Sequence, residues 1–188
     1  MIDPQQEKYM MNAVKVSLVG NIVLLSIKTA ALLLVNSLAI AVDLGISAVG
    51  LVVSIILYHS IKMANRPEDV FHNYGYSKIE HVCEVMEGVI LIGIALAMSV
   101  QAGITLFHPR HIHLFWVGLI SSTVNFSINF AGAWYIFKMA EKSSSPAIHA
   151  EGVHYRLEGF ISMTVAASFV LSILFQAAGV FRVIPYVD

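Results

Sequence analysis

The stretch Ser37-Leu-Ala-Ile-Ala-Val-Asp43-Leu-Gly-Ile-Ser47 lies inside a long apolar run, and its Asp43 is the only acid between Glu7 and Glu68. A carboxylate at the depth of a lipid bilayer costs about 3 kcal/mol or more unless it meets a cation, a polar partner or water. Asp43 is therefore a candidate functional residue. Ser47 follows it by four residues, so the two side chains share one face of a helix.

The composition of the whole chain indicates a membrane protein. Hydrophobic residues make up 57% of the sequence, charged residues 12%, and the mean hydropathy is +0.76, whereas about a quarter of the residues of a soluble domain are charged. About 20 helical residues cross the hydrocarbon core of a bilayer. Five apolar runs are long enough to do so, at residues 13–35, 38–61, 82–106, 114–137 and 155–178. We therefore predict an all-α membrane protein, a polytopic bundle of five transmembrane helices forming a single domain over residues 1–188.

Several functional classes are excluded or disfavoured. The formal net charge of −1 gives no indication of nucleic-acid binding. Cys83 is the only cysteine, which excludes an internal disulfide and any multi-cysteine metal site. The polar N-terminus lacks the anatomy of a signal peptide, so we expect the first apolar run to stay in the mature protein. Neither the paired histidine boxes of a diiron hydroxylase nor a Ser/His nucleophile pair is evident, and we do not expect an enzyme.

The basic residues predict an orientation, because cytoplasmic loops carry an excess of Lys and Arg. With the N-terminus in the cytoplasm and the C-terminus outside, only Arg110 and Arg182 fall on the outer side. We therefore expect an integral protein of a bacterial inner membrane in this orientation. The basic residues that would lie at or near the cytoplasmic side are Lys8, Lys15, Lys62, Arg66, Lys78, Lys138 and Lys142.

A second polar pair opens the fifth apolar run. His154 and Glu158 are four residues apart and face the same way, as do Asp43 and Ser47. Two helices that each present two such side chains could hold an ion between them. A neutral imidazole with carboxylates suits zinc or another first-row divalent cation. The protons that such ligands release on binding metal could couple metal movement to a proton gradient.

The charged residues near this proposed metal site can also be interpreted as structural ion pairs. Lys28 lies deep in the first run, seven residues after Asn21, and would either snorkel to the interface or pair with a carboxylate. Paired with Lys28, Asp43 would form a structural ion pair. Arg156 points away from His154 on a helix and could pair with Glu84 or Glu87.

Other polar groups give weaker indications. Asp69 and His72 could hold a divalent ion at the membrane surface, but two ligands in a loop are more typical of a solvated loop. The outer loop with His111 and His113 is likewise best interpreted as solvated. Asn125 and Asn129, four residues apart in the fourth run, would either bond to neighbouring helices or line a water-filled path.

The order and spacing of these motifs resemble the cation diffusion facilitator family over almost the whole chain. The resemblance implies a homodimeric divalent-cation/proton antiporter with a mid-membrane site shared by the second and fifth spans. By position, that site would be Asp43, Ser47, His154 and Glu158. The motifs that carry the resemblance are Asn21…Lys28…Ser37-Leu-Ala…Asp43, Pro67-x-Asp69-x-x-His72-x-Tyr-Gly75-x-x-Lys78-x-Glu80 and His154-x-x-x-Glu158.

The sequence also departs from the family pattern. The family usually has Asp at the positions of Ser47 and Glu158, and Tyr76 replaces a histidine of the loop site to which Asp69 and His72 belong. Members usually have a sixth span and a cytoplasmic metal-binding domain, whereas this sequence ends at Asp188. Two functions follow: an exporter of zinc, or of iron, manganese or cobalt, and a degenerate relative that is a non-transporting structural or regulatory subunit of a membrane complex.

Overall fold

The computed structural model describes residues 4–35, 37–64, 79–107 and 114–179, and these residues form a bundle of five α-helices without a strand. The all-α prediction is therefore confirmed, and each predicted apolar run falls on a helix of its own. The helices are α1 (Pro4–Val35), α2 (Leu38–Ala64), α3 (Ile79–Phe107), α4 (Phe115–Ser143) and α5 (Pro146–Ala177).

Two helices begin well before their apolar runs. α5 starts at a local signal, because the Ser145 side chain accepts a hydrogen bond from Ile148 N at 3.2 Å and Pro146 occupies the first turn. α4 ends just before this cap, with Ser144 in the left-handed region at φ 52°. α1 likewise starts at a proline, Pro4. Both helices therefore extend past the apolar core at their N-terminal ends.

Among the described residues, three helices are long and apolar enough to cross a membrane, Pro4–Val35, Ala39–Met63 and Pro146–Ala177. α4 is less apolar because it carries a polar stripe, but this stripe is buried in the bundle rather than exposed. The buried polar residues of α4 include Ser121, Ser122, Asn125 and Asn129.

The packing order of the helices brings α1, α2 and α5 together. α4 and α5 make the most extensive contact, followed by α1 with α4 and α1 with α2. α2 also contacts α5, and α3 rests against α2 and α5. As a result, α1 lies between α2 and α4, and the faces of α1, α2 and α5 meet inside the bundle.

Tyr155 of α5 contacts both α1 and α4 and so holds three helices together. Its buried hydroxyl donates a hydrogen bond to the backbone oxygen of Ser17 on α1 at 2.6 Å. Its ring packs against Gly132 of α4, where an added Cβ would lie 2.8 Å from Tyr155 Cδ1. Gly20 of α1 faces the hydroxyl, at 2.7 Å by the same measure. The two glycines thus give the tyrosine the space that close helix packing requires.

We expect Gly132→Ala to lower the free energy of unfolding by about 1–3 kcal/mol, because the new methyl group overlaps the Tyr155 ring. Gly45→Ala in α2 is the matched control, since an added Cβ there meets no atom within 4 Å. Both changes gain the same helix propensity. Thermal unfolding in detergent measures the difference, and equal melting temperatures for the two variants would contradict the packing argument.

Candidate metal centre

Polar side chains line the interior faces of α1, α2 and α5. They recur at intervals of three, four or seven residues, which places them on one face of each helix. All of them are buried. They are Ser17, Asn21 and Lys28 of α1, Asp43, Ser47 and Ser54 of α2, and Glu151, His154, Glu158 and Ser162 of α5.

The central cluster consists of Lys28, Asp43, Ser47, Glu158 and Ser162. The Lys28 ammonium donates to Asp43 Oδ1 at 2.8 Å and to Glu158 Oε1 at 3.0 Å. It also donates to Ser47 Oγ at 2.5 Å. The Ser47 hydroxyl donates to Glu158 Oε1, and Ser162 Oγ donates to Asp43 Oδ2 at 3.2 Å. One lysine therefore joins carboxylates from two other helices.

These contacts decide between the two interpretations of Lys28. The side chain is 0% exposed and its nitrogen bonds within the bundle, so it pairs with carboxylates instead of snorkelling to the interface. The predicted ion pair with Asp43 is present, and Glu158 is a second partner that the sequence did not indicate. With both carboxylates ionised, the cluster carries one more negative than positive charge.

His154 lies one helical turn from Glu158 on the same face of α5 and is 1% exposed. Its Nε2 faces α2 at Gly50, where an added Cβ would lie 2.6 Å from that nitrogen. Neither ring nitrogen has a hydrogen-bond partner among the described residues. The imidazole is therefore held between α2 and α5 with its lone pair unused.

The four predicted ligands are thus distributed unevenly. Asp43, Ser47 and Glu158 meet around the Lys28 ammonium, while His154 lies a turn away beside Gly50. Within the described ranges, no group of three or more His, Cys, Asp or Glu side chains is gathered closely enough to hold a metal ion. The ammonium takes the place between the carboxylates that a bound cation would need.

An inner cluster, formed by Ser17, Asn21, Ser54 and Glu151, lies nearer the starts of α1 and α5. Glu151 Oε1 accepts hydrogen bonds from the hydroxyls of Ser17 and Ser54, the latter at 2.6 Å. Asn21 Nδ2 donates to Ser54 Oγ at 2.9 Å. Sequence reasoning missed this cluster, although Glu151 precedes His154 by three residues and Glu158 by seven, which places it on their face.

The remaining predicted residues do not extend the site. Arg156 is exposed and lies over the Phe137 ring, with its guanidinium carbon 5.3 Å from the ring centre. Its proposed pairing with Glu84 or Glu87 concerns side chains outside the described part of the structure.

The sequence also indicated polar residues in two loops and an asparagine pair in α4. The loop residues Asp69, His72, His111 and His113 lie outside the described residues. Asn125 Nδ2 donates to Ser121 Oγ of its own helix at 3.4 Å, and Asn129 packs against Gly159 of α5. A structural role and a water path both remain compatible with these amides.

The fold is a helical membrane bundle with a buried ion cluster, and the match to a known family assigns its class. The match to the family of the cation efflux transmembrane domain covers residues 14–188, and the chain belongs to this family. The resemblance to the cation diffusion facilitators is thereby confirmed, and the chain is an integral membrane protein.

Three relatives illustrate the match. The cation-efflux pump FieF of Shewanella oneidensis is 25% identical over 160 residues, which cover 85% of this chain and 54% of FieF. The manganese efflux system protein MneP of Bacillus subtilis is 24% identical over 163 residues, 87% of this chain and 54% of MneP. The magnetosome protein MamM of Paramagnetospirillum magneticum is 26% identical over 156 residues, 80% of this chain and 48% of MamM. The chain therefore spans about half the length of these relatives.

We expect Lys28→Met to lower the free energy of unfolding by about 3–5 kcal/mol, because it leaves two buried carboxylates without their cation. Lys62→Met is the control, since Lys62 is exposed and its nitrogen lies over the Tyr58 ring at the surface, for an expected loss below about 1 kcal/mol. Adding Asp43→Asn and Glu158→Gln to Lys28→Met should recover part of the loss. Denaturant unfolding in detergent measures all three, and wild-type stability of Lys28→Met would contradict the role of the ion cluster.

Proposed function

We propose that this chain forms the transmembrane pathway of a divalent metal cation exporter. The observation that carries the proposal is the meeting of Asp43 and Glu158, from different helices, around a single cation in the membrane interior. Carboxylates in this position are expensive unless they serve an ion. Membership of a cation efflux family supports the same activity.

In this proposal, Lys28 is a tethered counter-ion that the transported metal replaces. A divalent cation between Asp43 and Glu158 neutralises both carboxylates, whereas the ammonium neutralises one. Coulomb attraction therefore favours exchange once the metal has lost part of its hydration shell. When the metal leaves, the ammonium returns and the carboxylates are not left uncompensated.

His154 and Ser47 would complete the ligand set. The imidazole has an unused lone pair one turn from Glu158 on the same face of α5. Because a ligating imidazole must be neutral, metal release allows His154 to take up a proton. This supports metal/proton antiport, with protons as the counter-ion.

Zinc is the metal we propose first, because imidazole with carboxylates is a common zinc ligand set. Iron, manganese and cobalt share much of this chemistry, and the relative MneP is named as a manganese efflux protein. We further propose a homodimer in a bacterial inner membrane, with the N-terminus cytoplasmic and the C-terminus outside, as the basic residues predict. We also propose Asp69 and His72 as a second metal site in a loop, although two ligands in a loop are a less specific pattern.

Transport is tested by metal uptake into proteoliposomes that contain the purified chain and a metal-sensitive dye, with a pH-sensitive dye to follow protons. We expect Asp43→Ala and His154→Ala each to lower the uptake rate by at least about tenfold, because each removes a proposed ligand. Arg156→Ala is the control and should retain wild-type uptake, since Arg156 is exposed and packs over Phe137. Equal flux in wild type and in both ligand variants would contradict transport through this site.

A second function has support from one observation. The Lys28 ammonium already pairs with both Asp43 and Glu158, so the central cluster could be purely structural, as in a non-transporting subunit of a larger membrane complex. Such a subunit should purify in mild detergent with stoichiometric partner proteins, which mass spectrometry of the intact complex detects. Recovery as a homodimer that transports metal would contradict this alternative.

A further inference from the structure

The inner cluster contains a buried acid that forms no salt bridge with any described basic side chain. Glu151 is 0% exposed, and within the described part of the chain it forms no ion pair, in contrast to Glu158 in the central cluster. Its contacts are the hydroxyls of Ser17 and Ser54, both on Oε1. A carboxylate so far from water needs a positive charge or a proton close by.

The hydrogen-bond inventory of this cluster shows which kind of partner is missing. The Ser17 and Ser54 hydroxyls both contact Glu151 Oε1 and lie 2.7 Å from each other, and the Asn21 amide nitrogen donates to Ser54. Two oxygens have no hydrogen-bond partner among the described residues, Glu151 Oε2 and Asn21 Oδ1. Both are acceptors, and both belong to groups that already contact the same serine hydroxyl. The cluster therefore offers lone pairs and has used its donors.

We propose that Ser17, Asn21, Ser54 and Glu151 form a second cation site, selective for hard divalent cations such as Mn²⁺. All four side chains supply oxygen, which hard cations prefer, whereas zinc favours nitrogen and sulfur. A site with a single carboxylate binds weakly, because ligand charge is a main determinant of affinity for such cations. Weak binding suits a site that an ion occupies in passing.

The position of the inner cluster suits an entry site for the transported cation. This role rests on the proposed function. Glu151 and Glu158 are seven residues apart on α5, about 10 Å along the helix axis. His154 lies between them with unused ring nitrogens. The inner cluster is on the side where α1 and α5 begin and α2 ends, which is the cytoplasmic side in the predicted orientation. A cation entering there meets Glu151 first and the central cluster second.

The site is tested by Mn²⁺ binding to the purified full-length chain in detergent, counted from the electron paramagnetic resonance signal of free Mn²⁺. The background variant Asp43→Asn removes one proposed ligand of the central cluster and leaves the inner cluster intact. We expect Asp43→Asn to retain a weak Mn²⁺ site. Adding Glu151→Gln should weaken that site by at least about a hundredfold, because losing a direct ligand costs more than losing an outer-shell partner.

The Glu151→Gln variant should fold, since its side-chain oxygen can still accept from both serines. Circular dichroism and the melting temperature verify this. Ser54→Ala is a second variant that keeps the carboxylate, and it should weaken Mn²⁺ binding by about tenfold. Mn²⁺ binding that Glu151→Gln leaves unchanged would overturn the proposal, and so would stoichiometric Na⁺ binding that excludes Mn²⁺.

Uptake of Mn²⁺ into proteoliposomes separates this proposal from the proposed function. Binding that depends on Glu151 without any uptake would support the inner site and contradict the transport function. Uptake that depends on Asp43 but not on Glu151, together with unchanged binding in Glu151→Gln, would support transport and overturn the inner site. If both proposals hold, Glu151→Gln slows uptake at low Mn²⁺ concentration more than at high concentration.

Discussion

The ion cluster of Lys28, Asp43 and Glu158 is the constraint on which the arrangement of α1, α2 and α5 depends. Each charge is buried, and the two carboxylates are tolerable only because both lie within hydrogen-bonding distance of the Lys28 ammonium. A shift of one helix by a single residue would turn its charged side chain to another face and leave the remaining charges unpaired. The cluster therefore fixes the register of three helices at once, in a lipid environment where apolar contacts discriminate poorly between registers.

This fixed register accounts for the inner cluster as well. Ser17 lies eleven residues before Lys28, and Ser54 lies eleven residues after Asp43, on helices that run in opposite directions. Equal spacing brings the two serines to the same depth, where Glu151 meets them from α5, about 10 Å along the helix axis from Glu158. Tyr155 then ties the same level of α5 to α1, through Ser17, and to α4, through Gly132. The polar interior thus has two levels.

Hydropathy was sufficient to predict the helices, because the cost of an exposed backbone in lipid leaves few alternatives. It did not predict where α1 and α5 begin, since these ends lie outside the apolar runs and depend on Pro4 and on the Ser145 cap. Helical periodicity correctly paired Asp43 with Ser47 and His154 with Glu158 on shared faces. It could not give the rotation of one helix against another, and this rotation brings Lys28 to both carboxylates and turns His154 toward Gly50. Glu151 had the right spacing, but only its serine partners distinguish it from an acid at a solvated helix end.

The tethered ammonium has a consequence for any metal that uses the central cluster. Because Lys28 is covalently held next to Asp43 and Glu158, its effective concentration there is high, and an incoming cation binds only to the fraction of molecules from which the ammonium has moved away. The apparent affinity for metal falls by that same fraction. In the proposed mechanism, cations that gain little from two carboxylates, such as well-hydrated monovalent ions, would fail to compete, whereas a divalent cation with His154 as a further ligand would succeed. Ser47 fits this scheme, since a neutral hydroxyl bonds to the ammonium and to Glu158 without adding a third buried charge that one lysine could not balance.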